Sequence, residues 1–491
     1  MRRAQWRIVG LACTRANFIC HTRRWLKNYI SFQPNHFEIQ LNKSEFSDAI
    51  KAGRGAASLH IKEFGLSGVA DVVLDACLTD YRYDSQMEGS RAGWLFDMFK
   101  GTPEYASFSL AIIEELKTNT EFWDCSQLCA LVSLIGQGDN LPARDALRRW
   151  VLHQAEFGDM DDSGFASELI ACEGISAITE LAGCYGRALM KDQDRNPSTL
   201  DDIFWQDTSK LAAVESALKE RAVLDEEVQL YLDYWQKEKA EIEARNRESK
   251  KIGQEHLQTH SERVRQALPI EKVLKSAAGF VGAYPGLYTR FGRHATSEEL
   301  VRVLANIERS KLEEECLRLL WVFRRVDLPR IPWKLWDYLR SENVELRSAT
   351  AEVLARLQDA RLGEFARSLL ESQDFVLADA EMIGLLVRNF LPGDEALLMS
   401  ELIRVSPKQD ECHVLCERLL DIVEVNFSPS MSSLVQWAYQ NTPCPHCRKR
   451  SLQQLIDNGV AGVEVIHESL FDACKEIRGL ARPLANQSEL G

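Results

Sequence analysis

Glycine and proline are both scarce in this chain, 27 and 14 among 491 residues. That scarcity excludes a fold made of many tight turns and leaves one made mostly of helices. No window approaches the roughly 18 to 20 uninterrupted apolar residues that a membrane-spanning helix requires, so no membrane role is expected. The HExxH spacing of zinc proteases, the phosphate-cradling P-loop and the GxSxG elbow are missing as well, so no motif specifies an enzyme. The 13 cysteines are scattered and follow no secretory signal. Reduced, buried thiols in a cytoplasmic protein are expected rather than a disulfide framework.

The chain is 45% hydrophobic and 27% charged, enough to bury at least one large core and long enough for two or three domains. Charge is distributed unevenly. Seven basic side chains (Arg2, Arg3, Arg7, Arg15, Arg23, Arg24, Lys27) and no acid precede Glu38, although the whole chain carries a formal −14. Such a break marks a boundary. Residues 1–41 read as a basic leader, akin to an organelle transit peptide or, more simply, translated upstream sequence ahead of a start near Leu41. "LNKSEFSDAI" then opens the first capped amphipathic segment.

From Asn42 onward one helical segment follows another. In "EEECLRLLWVFRRV" the apolar residues Cys316, Leu319, Leu320 and Phe323 recur at i, i+3, i+4 and i+7, the stripe of a helix with one face in a core. Leu346, Ala349, Val353 and Leu357 do the same in "NVELRSATAEVLARL". Thr296 stands three residues before Glu299, the spacing at which hydroxyl and carboxylate each satisfy a backbone N–H of a helix start. Gln236 to Gln266 is polar on all sides, as a solvated spacer helix or a disordered linker would be, and its many Glu, Lys, Arg and Gln favour the helix. Its mixed charges argue against a nucleic-acid arm. The expected organisation is a leader over 1–41, an N-terminal helical lobe over 42–206, a charged helical linker over 207–270 and a C-terminal lobe over 271–491.

"SENVELRSATAEVLARLQD", Ser341 to Asp359, resembles the second helix of a HEAT repeat, and "FDACKEIRGLARPLA", with Asp472 ahead of Ile477, is a weaker echo. "YTRFGRHATSEEL", "LRLLWVFRRVDLPRIPW", "NTPCPHCRKRSLQQLIDNG" and, in the first half, "LDACLTDYRYDSQMEGSRAGWLFDMF" are similar to an uncharacterised group of bacterial HEAT-repeat proteins. The resemblance implies an all-α fold, an armadillo-like α-solenoid of antiparallel helical hairpins in two lobes joined by a long charged helix. It also implies a scaffold that binds a protein partner along its surface. No activity comes with it.

Two clusters suit such a partner. One comprises Tyr288, Arg290 and Arg293 after the spacer, where burial of the rings as a cap is the simpler expectation. The other comprises Arg324, Arg325, Arg330, Trp333 and Trp336, since guanidinium planes and indoles anchor protein interfaces and also stack bases. The acidic balance of the chain favours protein over nucleic acid. Some HEAT-like proteins are DNA glycosylases, but their pattern is not matched residue by residue.

The remaining signal is Cys444-Pro-His446-Cys447. The run is identical to the active-site motif of the DsbA-type thiol oxidoreductases, and a helix is expected after it, with Pro445 in its first turn and Gly459 as its stop. No apolar strand precedes it, so the enclosing thioredoxin fold is not expected. Three readings stay open: structural thiols at a helix start, a redox or regulatory dithiol, or a metal site. Zinc would need ligands beyond Cys444, His446 and Cys447, drawn from His467 and Cys474 or from Cys412, His413 and Cys416. Apart from zinc no cofactor is expected.

Overall fold

Helix ends fall where the capping chemistry places them. Asn42 caps the helix Lys43–Ala52 by accepting from the backbone of Ser44 and Glu45, while Glu45 reaches back to the Asn42 N–H. Thr296 and Glu299 make the same reciprocal pair at the start of Ser297–Arg309, as the sequence spacing predicts. The computed structural model describes residues 39–488, apart from 139, 159–162, 205–207, 256–259, 280–283, 373–374, 406–407 and 409–410. The basic leader, apart from its last three residues, lies outside the described residues.

Among the described residues the structure is helical with no strand, and no helix is long and apolar enough to cross a membrane. The stripes read from the sequence face inward: Cys316, Leu319, Leu320 and Phe323 are fully buried, and Leu346, Ala349 and Val353 are buried beside them. Helices near one another in the chain pack together. Phe122–Gln137 lies on Leu141–Phe157, Ser176–Lys191 on Glu226–Glu255, and Ser432–Asn441 on Pro445–Asp457. Buried apolar residues form two clusters, one running from Phe46 to Trp235 and the other from Val264 to Ile477.

A 30-residue charged helix, Glu226–Glu255, leaves the first cluster. Its opening turns belong to the core, because Val228, Tyr231, Leu232 and Trp235 point inward. Tyr231 donates to the carbonyl of Ser198 at 2.8 Å, and the Trp235 indole donates to Asp201 at 2.7 Å. Beyond Trp235 the side chains turn to solvent as far as Arg247, Glu238 being half-buried. The core therefore reaches into both ends of the stretch 207–270, and the solvated spacer is its middle part.

The first described helices meet the last ones. The helix Gly55–Phe64 packs on Val463–Ser469. The Ala473 N–H donates to the Gly53 carbonyl at 2.9 Å, and the Trp94 indole donates to the Phe471 carbonyl at 2.9 Å. Arg448 donates to the Ala52 carbonyl at 2.9 Å. Glycine is required at this junction: a Cβ on Gly55 would stand 1.9 Å from the Glu468 carbonyl oxygen. A linear solenoid has contacts only between neighbouring repeats, whereas here contacts between residues 377 and 396 positions apart close N-terminal helices onto C-terminal ones.

Candidate functional site

Cys444 is the N-cap of the helix Pro445–Asp457, with Pro445 in the first turn and Gly459 in the left-handed region (φ 69°) just past its end. Thr442 fixes the approach, its hydroxyl oxygen accepting from the Cys444 N–H at 3.2 Å. One turn along, Cys447 is on the same side of the helix, while His446 points to solvent. The third member of the site comes from elsewhere. His413, in the first turn of Cys412–Asn426, brings its Nδ1 to 3.6 Å from Cys447 Sγ. One donor atom from each of His413, Cys444 and Cys447 lies within 4.8 Å of the others.

These groups are held from behind. His413 Nε2 is 3.7 Å from Glu417 Oε1, one turn along the same helix, and Glu417 also faces Arg418 at 3.5 Å. Tyr83, from the N-terminal half, lays its ring against the imidazole with centroids 4.6 Å apart. Cys447 is 2% exposed and Cys444 9%. Hydrogen bonding from the Cys447 thiol, together with His413, holds the Cys444 thiol well below its ordinary range in spite of burial. Cys447 moves the opposite way, raised by that same hydrogen bond and by burial. The His413 imidazole is raised by its hydrogen bond with Cys444, which outweighs burial. Two soft sulfurs and an imidazole converge here, a donor set suited to a borderline metal ion or to thiol chemistry.

The other residues considered as ligands stay apart. Cys412 donates to the Lys408 carbonyl and Cys416 to the Ala438 carbonyl, Cys474 lies against Glu476, and His467 packs on Phe471. Sequence reasoning included His413 among several partners for the cysteines, but it missed Tyr83 and Glu417. The i, i+4 spacing of His413 and Glu417 was the available signal; nothing local could have pointed to Tyr83.

Beside the cysteines runs a groove of about 860 Å³, lined from the N-terminal side by Leu41, Glu45, Asp48, Ala49, Lys51, Arg54, Tyr81 and Tyr83, and from the C-terminal side by Lys408, Gln440, Asn441 and Pro443. Tyr83 is shared between groove and thiol site, and Pro443 directly precedes Cys444 in the chain.

The basic and aromatic patches are dispersed. Tyr288 is fully buried and cannot serve as a contact for a partner; it packs near Trp321 and shares a hydrogen bond with Ser276. This corrects its place among the binding residues, and the reason is that its helix Pro285–His294 turns that ring into the second core. Arg290 and Arg293 are exposed on the same helix. Arg324 is paired with Glu352 at 2.8 Å, and Arg330 makes two hydrogen bonds to Glu308. The Trp336 ring is covered by the Arg361 guanidinium, whereas Trp333 is 67% exposed and Arg325 is exposed. No family model, curated protein or solved structure matches the chain.

Proposed function

We propose that this protein is a HEAT-like scaffold of stacked helical hairpins, without catalytic activity of its own, that binds an extended segment of a protein partner in the groove between its N-terminal and C-terminal helices. The observation that supports this reading is the groove itself. Its lining sets both charge signs, from Glu45, Asp48, Lys51, Arg54 and Lys408, and the side-chain amides of Gln440 and Asn441 among Leu41, Ala49, Pro443 and two tyrosines, a mixed surface rather than a purely apolar one. A polar peptide offers matching donors, acceptors and charges along its length. The overall −14 charge argues for protein rather than nucleic acid as the occupant.

Affinity capture from the native host tests this with surface variants. Tyr81→Ala and Lys408→Glu are expected to lose the partner, while Trp333→Ala and Arg325→Glu keep it. Retention by the groove variants together with loss in the Trp333 variant would move the binding face to the second cluster and end the reading.

A further inference from the structure

We propose that His413, Cys444 and Cys447 are the protein ligands of a zinc(II) ion, independently of what the groove binds. A Zn–S bond of about 2.3 Å and a Zn–N bond of about 2.0–2.1 Å at a tetrahedral angle set sulfur and nitrogen roughly 3.6 Å apart. Cys447 Sγ and His413 Nδ1 are 3.6 Å apart, and the whole donor set spans no more than 4.8 Å. Small side-chain rotations close the remainder.

Cys444 and Cys447 form a Cys-x-x-Cys knuckle at a helix start, where the first sulfur sits at the N-cap and the second one turn later. That is the common way a single helix end supplies two zinc ligands. The imidazole arrives already oriented, with Nδ1 on the sulfur side and Nε2 toward Glu417. A carboxylate behind a histidine fixes the ring and strengthens it as a ligand. Thiolate sulfur and imidazole nitrogen select zinc over magnesium or calcium, which take oxygen. Both cysteines bind as thiolates, so uptake releases thiol protons to solvent. Three protein ligands leave one tetrahedral position to water or another outside donor.

The ion would tie the Cys412–Asn426 helix to the Pro445–Asp457 helix, which already pack together, at the edge of the groove where Tyr83 covers His413. Zinc binding is therefore expected to fasten the wall that carries Pro443.

Full-length protein purified under reducing conditions and stripped with a chelator is titrated with Zn²⁺ and, as a spectroscopic probe, with Co²⁺. One equivalent is expected to bind, the cobalt form showing thiolate-to-metal charge transfer and the intense visible bands of tetrahedral cobalt. Cys447→Ser is expected to abolish both features. Glu417→Gln is expected to keep the spectrum and weaken affinity roughly 10- to 100-fold. Should the buried cysteine variant fail to fold, His413→Gln, whose side chain is 22% exposed, serves as the second variant, with far-UV circular dichroism confirming its fold. The proposal is overturned if the folded, reduced protein takes up no stoichiometric zinc, or if uptake and spectrum are unchanged in the folded His413 variant.

Discussion

Arg54 and Glu468 stand 414 positions apart in the chain and are joined by two hydrogen bonds, Nε to Oε1 at 3.0 Å and Nη2 to Oε2 at 3.1 Å. Arg54 also donates to the Gln440 carbonyl, so one side chain links the start of the helix Gly55–Phe64 to two C-terminal helices. With side chains only 19% and 10% exposed, the pair is largely sheltered from solvent. The closure rests as well on what surrounds it: the close backbone approach at Gly55, the buried Arg448 and the indole of Trp94.

Gly55 gives the sharpest test of closure. A methyl group there meets backbone rather than a yielding side chain, 1.9 Å from the Glu468 oxygen and 3.0 Å from the Asp472 nitrogen. Gly55→Val is expected to destabilise by about 1–3 kcal/mol, the cost of overpacking, and to speed amide hydrogen exchange in Val463–Ser469 as well as in Gly55–Phe64. Unchanged exchange in the C-terminal helix would show that the ends do not hold each other.

Arg448 and Asp472 form an ion pair with both side chains fully buried, at 2.8 Å. Removing one partner leaves the other charge without compensation in the interior. Arg448→Met is expected to cost about 3–5 kcal/mol in denaturant unfolding. The double variant Arg448→Met/Asp472→Asn is expected to cost much less than the sum of the two single changes, since it leaves no buried charge. Additive losses would show that the pair does not act as a unit.

What the sequence made legible was local. The Thr296–Glu299 cap, the Cys316 to Phe323 stripe, the solvated run after Trp235 and the helix start at Cys444 each depend on residues within one or two turns. The candidate site was legible only in half. Cys444 and Cys447 mark themselves by spacing, but the nearer histidine, His446, faces solvent, and the one that reaches the sulfurs lies 34 residues before Cys447. Periodicity says which face of a helix is buried and nothing about which helix covers it. For the same reason the pairing of Arg330 with Glu308, 22 residues away, and the meeting of Ala52 with Arg448 left no trace in local pattern.

Glu168 supplies a pH-dependent test. Burial raises its carboxyl above the ordinary 4.5, with the Ser133 hydroxyl offsetting part of the effect. A carboxyl whose folded value is raised favours the folded state while it is protonated. Its contribution is fully present below the unfolded value and is lost as pH rises through the folded one. At neutral pH the charge thus opposes folding, and Glu168→Gln is expected to raise stability by about 1 kcal/mol or less. The gain should vanish below pH 4.5, where the native side chain is neutral as well. A gain that persists in acid would assign the effect to packing rather than ionisation.

Tyr288 and Trp333 looked equivalent in the sequence, each an aromatic ring beside arginines, and the fold separates them. Tyr288 is fully buried against Trp321 and Ser276, whereas Trp333 is 67% exposed at the start of its helix. Truncating a buried aromatic side chain removes its transfer energy and leaves a cavity, so Tyr288→Ala is expected to cost about 3–5 kcal/mol. Trp333→Ala, away from the core, should change stability by no more than about 0.5 kcal/mol. Thermal unfolding of the two variants in one buffer reads the difference directly. Comparable losses would mean that Trp333 is covered in solution, most simply by a second copy of the chain, and melting midpoints that rise with protein concentration would identify that cover.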